Sequence, residues 1–171
     1  MAGDESKKKN PLGETGETVA ANVKRLREGQ RLAFTQLAAK LDEIGRPIPT
    51  LGLRHIEANK RRVDADDLVA LSVALEVSPI TLLMPTTNAD GSEVQRSDRF
   101  PITGHSGPVD ARLIWSWLKA EQPLSPDLPW TKFISEAWPR WVQEQFSAEA
   151  REQLQKSLFN FGPGGDSHGD N

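Results

Sequence analysis

Between Thr18 and Met84 lie five apolar runs at helical spacing, each cut short by Gly, Pro or Asn, and this punctuation constrains the fold most. Val19, Val23 and Leu26 recur at i, i+4 and i+7, one stripe of an amphipathic helix. Thr18 is its expected N-cap, and Gly29 ends it. A second helix buries Leu37, Ala38 and Leu41 and stops at Gly45. The run Gly45-Arg-Pro-Ile-Pro49 cannot be regular helix, because each proline restricts the residue before it. A third helix runs from Thr50 to about Asn59, a residue suited to a left-handed cap. Asp64 or Ala65 opens a fourth, whose Asp66 and Asp67 suit the positive end of its dipole and whose Leu68, Leu71 and Leu75 face inward. Ser78 as N-cap and Pro79 at the first helical position begin a short fifth helix with Ile80, Leu82 and Leu83.

The third helix carries the chemistry. Leu53 and Ile56 anchor one side of the segment Thr50–Arg62, Arg54 and His55 present cationic and hydrogen-bonding groups, and Lys60, Arg61 and Arg62 follow. Such an element has one side to bury, one side able to reach base edges, and an end able to grip phosphate. The plain alternative is a surface helix followed by a solvated charged loop.

The series VKRLREGQRL, LAAKL, LRHIEANKRRV and DDLVALSVALEVSPITLL resembles the Cro/C1-type (XRE family, lambda repressor-like) helix-turn-helix domain. The resemblance covers residues 18–84, less than half of the chain. It implies a five-helix DNA-binding domain whose third helix enters the major groove of double-stranded DNA. By position it implies base contacts from Thr50, Leu51, Arg54 and His55, and phosphate contacts from Thr35, Gln36, Lys60, Arg61 and Arg62. It also implies an ion pair between Arg27 and Glu57 that fixes how two helices dock. Leu51 reads equally well as core, and His55 as a surface histidine. The chain departs from the family pattern in four places. The stretch from Leu37 to Leu53 is longer by about five residues than in the tightest members, judged against the short turn of such motifs. Asn59 replaces a Gly, and Ser72 stands at a small apolar position. Phe34 stands where many relatives carry a polar residue, so no DNA contact carries over to it.

Bulk composition narrows the function classes. The 171 residues carry a net charge of -3, which argues against a general polyanion binder. The charge is uneven: residues 18–84 hold +2, and residues 85–171 hold -4. An acidic remainder would suppress non-specific binding and leave DNA to a small patch. With no Cys there is no disulfide, thiolate nucleophile or cysteine zinc site. His55, His105 and His168 are scattered, and there is no Gly-rich phosphate loop, metal-ligand spacing or nucleophile–base set, so neither an enzyme nor a cofactor is expected. Asp64-Ala-Asp-Asp67 lacks the spacing of a calcium loop. No apolar run approaches a membrane span and the N-terminus has no apolar signal core, so a cytoplasmic protein is expected.

Outside the helical segment the chain is expected to be less regular. Residues 1–17 read as a disordered tail in which Lys7, Lys8 and Lys9 form a solvated arm. Residues 85–108 read as a linker with short strands, Arg99–Thr103 pairing with Glu93–Gln95. Residues 109–161 read as a small, Trp-rich, mainly helical C-terminal domain. In it Ala111, Ile114, Trp115 and Leu118 share a face, Trp117 points elsewhere, Pro139 breaks the next helix and Ser147 caps the last. Residues 162–171 read as a second disordered tail. All five Trp (115, 117, 130, 138 and 141) lie in this half. Such density suits either an ordinary core or an interface, with Trp117, Trp138 and Trp141 as candidate contacts in a homodimer or with a partner. The leading expectation is a sequence-specific transcriptional regulator, a repressor of phage or bacterial type. The alternative is a protein-interaction or antitoxin-like module that uses the same fold as a scaffold.

Overall fold

The computed structural model describes residues 11–160, with side chains through residue 153. The elements in order are α1 (Glu14–Gly29), α2 (Phe34–Glu43), α3 (Thr50–Glu57), α4 (Ala65–Ala74), α5 (Pro79–Leu83), β1 (Arg99–Phe100), β2 (Val109–Asp110), α6 (Ala111–Leu118), α7 (Trp130–Ala137) and α8 (Arg140–Asn160). The described residues are thus mostly helical, with one small antiparallel sheet among them. No helix among the described residues is long and apolar enough to cross a membrane. The chain divides into two compact units between Lys119 and Ala120. This boundary differs from the expected ones, because residues 85–119 belong with the first unit.

Each helix of the first unit starts and stops for a local reason. α1 begins four residues before the expected cap: Gly13 is the N-cap, Glu14 and Glu17 sit in the positive first turn, and the Thr18 hydroxyl donates back to the Glu14 carbonyl at 3.1 Å. Residues 14–17 are therefore helix and not tail. At the other end the left-handed residue is Arg31 (φ 54°), two positions beyond Gly29. α2 ends where Gly45 turns the chain at φ +78°. α3 has Pro49 as N-cap and Thr50 as its first helical residue, and Asn59 adopts φ 58° after the helix ends. The Asp64 carboxylate accepts the Asp67 N–H at 2.7 Å to cap α4, and Ser78 accepts from Ile80 N–H to cap α5.

One apolar core joins these five helices. Val23, Leu37, Leu41, Leu53, Ile56, Leu71, Leu75 and Leu82 are fully buried within it. Each contributes about 1.5–3 kcal/mol of transfer free energy. Ile48, between Pro47 and Pro49, is also buried, so the long α2–α3 connection is pinned by an apolar anchor. Among the described residues no buried side-chain polar atom lacks a hydrogen-bond partner. Ser72 donates to the Leu68 carbonyl at 2.8 Å, which explains a hydroxyl at an apolar position. The Asn22 amide donates to the carbonyls of Leu82 and Met84, closing the end of α5 against α1.

Hydrogen bonds, not apolar packing, order the segment expected to be a linker. Glu93 bridges Thr87. β1 pairs with β2, in the register Arg99↔Asp110 and Phe100↔Val109, and not with residues 93–95. The Asp98 carboxylate accepts from the Gln95 N–H and from the Asn88 amide, each at 2.8 Å. These donors, the backbone N–H first, hold it below the ordinary carboxylate range. Thr103 and Thr15 exchange two 3.1 Å bonds between backbone N–H and side-chain oxygen, which clasp the chain to the start of α1. On α6, Ala111 and Ile114 are buried and Trp117 is half-buried, whereas Trp115 is exposed with Lys119 over its ring. The two tryptophans thus exchange their expected sides.

The second unit rests on an edge-to-face aromatic cluster. Trp130, Trp138 and Phe146 have ring centroids 5.4–6.0 Å apart. The Trp138 indole N–H donates to the Ala120 carbonyl at 2.6 Å and that of Trp130 to the Glu121 carbonyl at 2.8 Å. Pro139 separates α7 from α8. Ser147 is not a cap; it lies inside α8 and donates to the Gln143 carbonyl at 2.8 Å. The expected tail at 162–171, with His168, and the lysines at 7–9 lie outside the described residues.

Candidate nucleic-acid interface

α3 is strongly two-sided. Leu53 and Ile56 are fully buried, which fixes the helix to the core, while Leu51, Arg54 and His55 are exposed and Thr50 is half-buried. Leu51 is 61% exposed, which rules out its reading as core. The N-terminus of α3 has no side-chain cap, so its first N–H groups remain available to an outside acceptor.

Arg54 has a specific support. Its guanidinium lies 4.7 Å from the centre of the Phe34 ring, and that of Arg27 lies 4.1 Å from the same centre. Attraction to a ring face is worth about 0.5–1 kcal/mol at an exposed site. It restricts the long Arg54 side chain while leaving its N–H groups to donate elsewhere. Phe34, which in the sequence only interrupts a family pattern, here joins the first residue of α2 to the exposed face of α3.

Arg27 and Glu57 form a two-pronged pair below that face. Arg27 Nε donates to Glu57 Oε1 at 2.6 Å, and Nη2 to Oε2 at 2.8 Å. Arg27 Nη1 also donates to the Leu32 carbonyl and Nη2 to Glu28. The bond to Glu57 raises the Arg27 pKa further above its ordinary value. The pair ties the end of α1 to the end of α3.

The basic triplet behaves as three separate residues. Arg61 Nη2 donates to Asp67 Oδ2 at 2.7 Å, and the other oxygen of this buried carboxylate accepts from Arg46 Nε at 2.9 Å. Arg46 reaches Asp64 as well. The Asp64 carboxyl is held below the ordinary range, first by the Asp67 N–H and then by the charge of Arg46. Arg61 is therefore a structural brace of the α3–α4 corner and not an idle phosphate contact. Gly52 makes room for it: a Cβ there would lie 2.6 Å from Arg61 Nη1. Arg62 donates to the Pro11 carbonyl at 2.9 Å. The exposed Lys60 ammonium has no partner among the described residues.

Thr35 and Gln36 are exposed in the first turn of α2. The Gln36 side-chain oxygen accepts the Ala33 N–H at 2.7 Å, which leaves its NH₂ group to donate outward. Of the candidate interface tryptophans, Trp117 lines a cavity of the first unit, Trp138 is half-buried in the aromatic cluster, and Trp141 is 67% exposed. Among the described residues no group of His, Cys, Asp and Glu has the arrangement of a metal site. Sequence reading gave no role to Arg46, Gly52 or Ile48, and it placed Asp67 at the start of α4 without its arginine partners.

Comparison with protein-family models, curated proteins and solved structures gave no match to this chain.

Proposed function

We propose that this protein is a sequence-specific DNA-binding regulator of the Cro/C1 helix-turn-helix type, reading the major groove with α3. The supporting observation is the exposed face of α3, where Arg54 rests on Phe34 beside Leu51 and His55 while Leu53 and Ile56 anchor the opposite side. In this role Arg54 donates two bonds to guanine O6 and N7, and Leu51 meets a thymine methyl. His55 and Thr50 supply further donors to base or phosphate. Lys60, Thr35 and the Gln36 amide hold the backbone. Arg62, whose Nη2 donates to the Pro11 carbonyl, can join them through its remaining N–H donors. Regulation is proposed to be repression of phage or bacterial type, in the cytoplasm, by a homodimer in which Trp141 of the second unit is the most exposed aromatic anchor.

The test is selection of bound duplexes from a random-sequence pool with the purified full chain. An enriched motif supports the reading, and two-fold symmetry in it supports the dimer. The exposed Leu51 also fits a scaffold reading, in which α3 meets an apolar groove of a protein. Absence of any enriched sequence would favour that second reading.

A further inference from the structure

Between the start of α1, the loop before α4 and the inner side of α6, the first unit holds a cavity of about 730 Å³. Its wall is mostly apolar, with Val19, Leu68, Ile102, Ile114 and Trp117 contributing. The Thr15–Thr103 clasp draws the chain tightly to α1 at one end: a Cβ on Gly13 would lie 2.6 Å from Thr103 Oγ1. Further along, Trp117 and Leu118 of α6 stay half-buried, and no described residue fills the space before them. The volume is in the range of small-molecule sites, which typically combine apolar walls with a few placed polar groups.

The polar groups on this wall are unequal. Asp67 is held by Arg46 and Arg61, and Asp64 by Arg46. Arg62 stands on the same wall, and among the described residues it bonds only the Pro11 carbonyl and no carboxylate. Among the described residues it is the cation of the cavity that meets no carboxylate.

We infer that this cavity binds a small organic carboxylate with an apolar body, its carboxylate paired with Arg62. Apolar burial supplies the body's affinity, and a charge-assisted, two-pronged bond to the guanidinium fixes the head. The inference rests on the cavity and on Arg62, not on the DNA reading, so either can fail without the other.

The test is calorimetric titration of the full chain with decanoate and, as its neutral counterpart, decanol. Decanoate should bind saturably at one site, about tenfold or more tighter than decanol, as a charged hydrogen bond warrants. Arg62→Gln should bring decanoate to the affinity of decanol and leave decanol unchanged. Leu118→Trp should fill the cavity and abolish both; if circular dichroism shows that variant unfolded, Thr18→Phe serves in its place. Absence of saturable decanoate binding would overturn the inference. So would equal affinity for the two probes in the wild type, decanoate binding unchanged by Arg62→Gln, or binding that persists in a folded cavity-filling variant.

Discussion

Glu57→Ala should destabilise the first unit by about 3 kcal/mol, toward the lower end of the range for breaking a buried pair. The Glu57 side chain is 7% exposed and that of Arg27 10%, so both charges are largely out of water. Removing Glu57 deletes the two shortest bonds to Arg27, at 2.6 and 2.8 Å, and leaves the guanidinium buried. The loss is kept from the top of the range because Arg27 retains the Leu32 carbonyl and Glu28. The Phe34 ring also still lies against it. For a chain of this size a loss of about 3 kcal/mol lowers the melting temperature by roughly 6–12 °C. Urea unfolding followed by far-ultraviolet circular dichroism measures it. The double variant Arg27→Met, Glu57→Leu should recover most of the loss, because replacing both charges removes the unpaired one. A loss of less than about 1 kcal/mol in Glu57→Ala, the scale of an exposed pair, would refute the view that this pair locks α1 to α3.

Four other outcomes follow from the same geometry. Phe34→Leu should lower discrimination at the base read by Arg54 by about 0.5–1 kcal/mol, the worth of an exposed cation–π contact, and Phe34→Tyr should retain it. The readout is the ratio of affinities for the selected duplex and its single-base variants, which a loss of stability alone does not move. Lys60→Ala should reduce the slope of log affinity against log salt by about one. Arg61→Met should leave that slope unchanged but lower thermal stability, since Arg61 braces Asp67; a flattened slope with unchanged stability would reverse the assignment. Asp64→Ala tests the sign of a titration. The folded carboxyl lies below its ordinary value, so its stabilisation is complete above about pH 3.9 and is lost as pH falls through the lower folded value. The melting difference between wild type and variant should therefore hold from neutral pH to about 4 and shrink only below it; a difference already gone at about pH 5 would contradict the Asp64 bonding.

The helices of the first unit were legible because local signals agreed. Apolar spacing set the buried faces, and Gly45, Asn59, Asp64 and Ser78 marked stops and starts with chemistry that acts within a few residues. What sequence reading missed depends on partners far along the chain. Ile48 lies in a Pro-flanked loop where periodicity has no meaning, yet it is core. Thr103, 88 residues away from Thr15, holds the Gly-rich start of α1 that reads as tail by composition. Residues 85–108 have few apolar side chains, and it is the carboxylate of Asp98 and a short sheet that order them. Arg61 carries the same charge as Lys60, and only the fold shows that Asp67 already occupies it. On α6, Trp115 and Trp117 are both apolar enough to face inward, so composition could not choose between them.

The central claim is that Arg54 of α3, supported by Phe34 of α2, reads a base. Affinities of the wild type and of Arg54→Ala for the selected duplex and all its single-base variants test it most directly. The wild type should discriminate by about 1–3 kcal/mol at each contacted position, and Arg54→Ala should lose that preference at one position while keeping it at the others. An equal loss of affinity on every duplex would assign Arg54 to phosphate and contradict the claim.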